Sequence, residues 1–141
     1  MKTFEAAAAI EASAERVWAL LIDVARWPEW NTTVEKVVGQ VAQGARVTVH
    51  TKLSPNRAFP VQVAELDAPR RMVWRGGMPL GLFVGTRTFT IASQSHGRVA
   101  FEMREEFTGL LAPLITKSIP DLKPAFDEFA RCLKAAAERR D

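Results

Sequence analysis

A chain of 141 residues, 48% hydrophobic and 25% charged, has the composition of one folded globular domain, 1–141, with a sizeable core. Its net charge of +3 comes from scattered basic residues with no block interleaved with aromatics, which argues against nucleic acid as a partner. No apolar run approaches the ~20 residues of a membrane span, and a lone cysteine, Cys132, rules out an intrachain disulfide, fitting a reducing, cytoplasmic setting.

Met1–Ile10 superficially resembles a leader, but its apolar stretch is short, is broken by Glu5 and runs into a capped helix. It reads as a strand over 3–11, with Phe4, Ala6, Ala8 and Ile10 on one face. Ser13 is placed to cap a helix whose apolar side is Val17, Trp18, Leu20, Leu21 and Val24. Pro28 interrupts the helical run, so a second short helix is expected around 24–29, ending near Trp30-Asn31. From residue 32 the apolar period changes to two. Strands are predicted over 34–38, 46–53, 58–66, 71–75, 82–94 and 98–108, separated by turn residues such as Ser54-Pro55-Asn56 and Ser95-His96-Gly97. The glycine-rich stretch 76–85 and the prolines at 113, 120 and 124 suggest movable elements that could gate an opening. Leu110, Leu111, Leu114 and Ile115 form a helical segment closed by Pro120. Asp121 then caps a longer amphipathic helix through Leu122, Phe126, Phe129 and Leu133. Consecutive strands with short connections imply an antiparallel α+β domain.

The order of elements, with Ala12-Ser13-Ala14-Glu15-Arg16-Val17-Trp18, Trp27-Pro28-Glu29-Trp30-Asn31 and Glu65–Trp74, resembles the START-like (SRPBCC, birch-pollen-allergen-like) superfamily. Within it, the chain is most similar to the polyketide cyclase/dehydrase and lipid-transport type. The resemblance implies a helix-grip fold: a seven-stranded antiparallel sheet curved around a long C-terminal helix, with two short helices between strands 1 and 2. It also implies an apolar cavity between sheet and helix, and a monomer or homodimer.

The last hairpin allows a sharper inference. With Gly97 at a left-handed position and residue 94 opposite 98, Ile91 faces Phe101, Phe89 faces Met103 and Arg87 faces Glu105. An Arg–Glu pair then stands among inward apolar residues. Either it anchors a ligand's polar group or it only satisfies itself near the sheet edge. The expected lining is Trp27, Trp30, Trp74, Phe83, Arg87, Phe89, Met103, Glu105, Phe107, Phe126 and Phe129. The three tryptophans are core or cavity wall, while Trp18 is core. His50 falls on the polar phase of its strand and His96 on a loop tip, which argues against a catalytic triad or a histidine metal site. Cys132 is a packing residue, and no cofactor is expected.

Three functions fit this pattern. The favoured one is a carrier or sensor of an apolar small molecule such as a lipid, polyketide or aromatic metabolite. The second is a cyclase or dehydratase in which Arg87 stabilises an enolate and Glu105 moves the proton, although an ion-paired carboxylate is a weak base and the chain has no tyrosine. The third is a protein-interaction module like the chaperone-ATPase activators of the superfamily, for which no large exposed apolar stripe is evident.

Overall fold

The computed structural model describes residues 2–139. Strand β1 (Lys2–Ile10) buries Phe4, Ala6 and Ile10 by simple alternation. The Ser13 hydroxyl accepts from the Arg16 N–H (3.1 Å) and starts α1 (Ala14–Ile22), which buries Ala14, Val17, Trp18 and Leu21 at helical spacing. The second short helix expected around 24–29 ends at Trp30, near the expected position, but is built from two pieces. A 3-10 turn (Val24–Arg26) runs into a separate one-turn helix, α2 (Trp27–Trp30), with Pro28 inside its first turn. Proline is tolerated there because its missing N–H would have had no helical partner.

Six further strands follow: β2 (Val34–Val38), β3 (Arg46–Thr51), β4 (Phe59–Asp67), β5 (Arg71–Gly77), β6 (Val84–Ser93) and β7 (Val99–Thr108). They form one antiparallel sheet in the order β1-β7-β6-β5-β4-β3-β2. Predicted and observed bounds differ by two residues at the ends of β3 and β5 and at the start of β6, which begins at Val84 after the 3-10 turn Pro79–Gly81. Register shifts at Val34/Lys36 and Val63/Glu65 add local twist and help the sheet curl. At Gly76 the curl brings β4 so close that a Cβ would lie 2.7 Å from the Pro60 carbonyl oxygen.

After β7 the chain makes α3 (Ala112–Ile115), a 3-10 turn (Thr116–Ser118) and the long helix α4 (Lys123–Glu138). The N-cap position is Leu122 rather than the expected Asp121, whose carboxylate, just before the helix, accepts from the Lys123 N–H. Phe126, Phe129, Ala130, Leu133 and Ala137 turn the buried side of α4 into the sheet core. Three contacts fix the helix beside β1: Lys123 Nζ donates to the Glu5 carbonyl (2.8 Å), Lys134 Nζ to that of Ala9 (2.6 Å), and the Glu11 N–H to Glu138 (2.8 Å). From α1, Arg16 donates to the Ala136, Ala137 and Arg139 carbonyls at the end of α4.

Several large apolar side chains stand exposed to solvent. Leu80, Leu110 and Leu114 are 95%, 83% and 68% exposed. The Leu111 N–H to Leu82 carbonyl bond (2.8 Å) joins the β5–β6 connection to the start of α3, so these leucines belong to one end of the molecule. Leu80 lies in the 3-10 turn Pro79–Gly81, Leu110 in the turn after β7 and Leu114 in α3.

Candidate ligand-binding site

The strand registers line up one row of inward residues across five strands. Val63 lies opposite Trp74, Trp74 opposite Arg87, Arg87 opposite Glu105, and Glu105 opposite Phe4. The hairpin arithmetic therefore gives the observed pairs for β6 and β7, including Phe89 with Met103 and Ile91 with Phe101. Both His96 (φ 64°) and Gly97 (φ 71°) are left-handed in the connecting turn, where only Gly97 is expected to be.

On one side of this row the interior is filled. The Trp27 ring stacks on Trp74 (centroids 5.3 Å, 17° between planes), and Phe129, Trp30 and Phe89 meet Trp27 at 5.2, 5.8 and 6.5 Å. The Trp27 indole N–H points to the Leu20 and Leu21 carbonyls at 3.2 Å each, so the end of α1 fixes the ring. Trp27 and Trp74 are only 1% and 2% exposed. These two rings pack against each other as core, and Trp30 is partly buried at the margin.

The other side is more open and carries the charges. Arg87 Nη2 donates to Glu105 Oε2 at 3.3 Å, with side chains 23% and 15% exposed. The guanidinium lies 4.8 Å above the Phe126 ring, a cation–π contact that pins it under α4. Phe83 stacks on Phe107 (5.5 Å, 7°), and Phe4 bridges Phe107 and Phe126 at 6.2 and 6.1 Å. Gly85 leaves room for Phe107, whose ring carbon would stand 3.2 Å from a Cβ there. Met103 is buried one pair further in. Beyond Phe107 a partly open hollow of about 270 Å³ is lined by Lys2, Phe107, Thr108, Gly109, Ala112, Pro113 and Thr116.

Two donors in the central row stand out. The Trp74 Nε1–H and the Arg87 Nε–H are buried and have no hydrogen-bond partner among the described residues. The same holds for Trp30 Nε1 and Asn31 Nδ2, beside α2. Phe4 and Phe101 were missed by the sequence reading of the site. Phe4 contacts two lining phenylalanines and Phe101 packs on Phe129 at 6.2 Å. Extending the strand pairing from β7 to β1 would have found Phe4, because it lies opposite Glu105.

The remaining candidates stand apart from this row. His50 is half-buried on β3 and His96 is exposed. Cys132 is buried with its sulfur 3.5 Å from Thr32 Oγ1. Among the described residues no three His, Cys, Asp or Glu side chains gather as a metal site.

A curled seven-stranded sheet gripping a C-terminal helix, with short helices after the first strand, is the START-like fold of ligand-binding proteins. The family described as polyketide cyclase / dehydrase and lipid transport matches residues 1–138, and the chain belongs to it. Solved structures with the same fold include hypothetical protein jhp0584 of Helicobacter pylori, with a TM-score of 0.78 at 15% identity, covering 96% of this chain and 88% of that one. The ZhuI aromatase/cyclase of Streptomyces sp. R1128 has a TM-score of 0.76 at 17% identity, with 99% and 94% covered. Truncated norcoclaurine synthase of Thalictrum flavum has 0.71 at 13%, with 99% and 95% covered. At these identities the likeness is one of fold. No curated protein matches the chain.

Proposed function

We propose that this protein binds an apolar small molecule (a lipid, polyketide or aromatic metabolite) between sheet and α4, as a carrier or sensor. The observation that carries the reading is the Arg87–Glu105 pair among Phe83, Phe107 and Phe126. An ion pair in such surroundings seldom repays its desolvation. Its value lies in orientation: apolar burial supplies affinity and the pair sets which end of the ligand enters first. A single contact to Glu105 leaves most of the five guanidinium donors for other acceptors.

Binding is favoured over catalysis by the inventory of proton carriers. Glu105 is held by Arg87, both histidines lie elsewhere, and the chain has no tyrosine. Trp27, Trp30, Trp74, Phe89 and Phe129 shape the inner wall, and Met103 the base.

Native mass spectrometry of protein purified from its own host tests the reading. A co-purifying apolar molecule is expected, bound at least tenfold more weakly by Arg87→Ala (roughly the loss of one charge-assisted hydrogen bond). Protein that carries nothing and takes up no apolar probe overturns the proposal. Unchanged affinity in Arg87→Ala removes the anchor, and turnover of the bound molecule replaces the carrier with a cyclase or dehydratase.

A further inference from the structure

The unpaired donors narrow the chemistry of the ligand, and this step rests on the binding role proposed above. Trp74 and Arg87 are directly opposite in the β5–β6 register and share the inner face, so their Cβ atoms stand about 5 Å apart. The Trp74 Nε1–H and Arg87 Nε–H are both buried without a partner among the described residues. Trp27 offers the contrast, because two backbone carbonyls take its indole N–H. Buried donors ordinarily find acceptors, since leaving one unpaired forfeits the hydrogen bonds it made to water. Here neighbouring strands each hold one that the protein leaves unused.

The charge balance then limits what the acceptor can be. The Arg87 cation is already compensated by Glu105 at 3.3 Å. A ligand carboxylate would bring a second anion to a partly buried site with one cation. Lys2, the next cation on that face, lies exposed at the rim. A carbonyl oxygen has two lone pairs, carries no net charge and brings no donor that would need a partner. We propose that Trp74 and Arg87 together read one uncharged carbonyl oxygen of the ligand, and that the site discriminates against carboxylates of the same shape.

Three probes that differ only at one substituent test this: 2-acetylnaphthalene, 2-naphthoate and 2-ethylnaphthalene, titrated by calorimetry at neutral pH. The ketone is expected to bind at least about tenfold tighter than the ethyl compound, in keeping with two hydrogen bonds gained. It is also expected to bind tighter than the carboxylate. Trp74→Phe keeps an aromatic ring and loses the donor, and should weaken the ketone about fivefold more than it weakens the ethyl compound. In the wild-type protein the Trp74 indole ¹⁵N–¹H resonance should move downfield with the ketone alone, a readout independent of whether the variant folds. Equal binding of ketone and ethyl compound, or an unmoved resonance, overturns the inference and leaves the carrier role standing. Tightest binding of the carboxylate overturns it in favour of an anion. Failure of all three probes to bind overturns both.

Discussion

Arg87 and Glu105 make different predictions taken singly and together. Glu105→Ala removes the carboxylate partner of the Arg87 guanidinium and leaves it above the Phe126 ring. Because both side chains retain some solvent access, the loss should be about 1–3 kcal/mol, below the range for fully buried pairs. The double variant Arg87→Met/Glu105→Leu should recover that stability in urea denaturation while losing preference for any polar ligand. A double variant no more stable than the single one would show that the pair is needed by the fold. Glu128 gives a pH signature. Arg131 and the Thr32 hydroxyl bond its carboxylate and hold it at about 2, down from 4.5. Its contribution is complete above pH 4.5 and drains away as pH falls through about 2. Glu128→Gln should therefore differ from wild type in thermal stability at neutral pH, with the gap closing as pH falls from 4.5 to 2. A gap that widens in acid would contradict the assignment. At this scale the ion pair was legible, because a hairpin turn fixes every opposing pair after it. The stack of Trp27 on Trp74 was not: α2 and β5 are far apart in the chain, and periodicity holds no information about which rings meet.

Among the elements, α1 and α4 depend on each other. The Arg16 guanidinium gathers carbonyls at the C-terminal end of α4, where the helix dipole and unpaired oxygens favour a cation. Arg16→Ala should cost about 1–2 kcal/mol, a surface-screened value for charge-assisted bonds at a helix end. Amide exchange should accelerate chiefly in the last turn of α4. Uniform acceleration throughout the protein would argue against a local cap. The amphipathic pattern revealed α4 itself, and Ser13 revealed the start of α1. Nothing in either segment signals that one helix ends on the other, since Arg16 reads simply as an exposed residue of a first turn. The helix ending at Trp30 was legible, but the place of Pro28 in its first turn was not, for a related reason. A proline is a stop inside a helix and a start at its first turn, and the sequence alone does not say which position it holds.

For the molecule as a whole, the sheet curls around α4. At Gly76 strand β5 lies close against β4. Gly76→Ala would push a methyl into the Pro60 backbone, which cannot yield as a side chain could. A loss of about 1–3 kcal/mol is expected from such overpacking. A neutral result would show that β4 can move away without cost. The number of strands, the antiparallel sheet and the closing helix were readable because alternation and turn residues recur along the chain. How the interior divides into a filled aromatic part and a more open charged part was not readable. That division depends on ring contacts made only after the sheet has bent.

The two margins of the sheet are unequal, and this limits how copies of the protein could add to one another. Lys123 and Lys134 occupy backbone oxygens along β1, which α4 accompanies on that side. At the opposite margin β2 leaves Val38 54% exposed. Growth of a fibre by strand addition requires both margins to accept a neighbour. Strand addition at β1 would have to displace both lysines from those oxygens, whereas pairing through β2 would close after two copies.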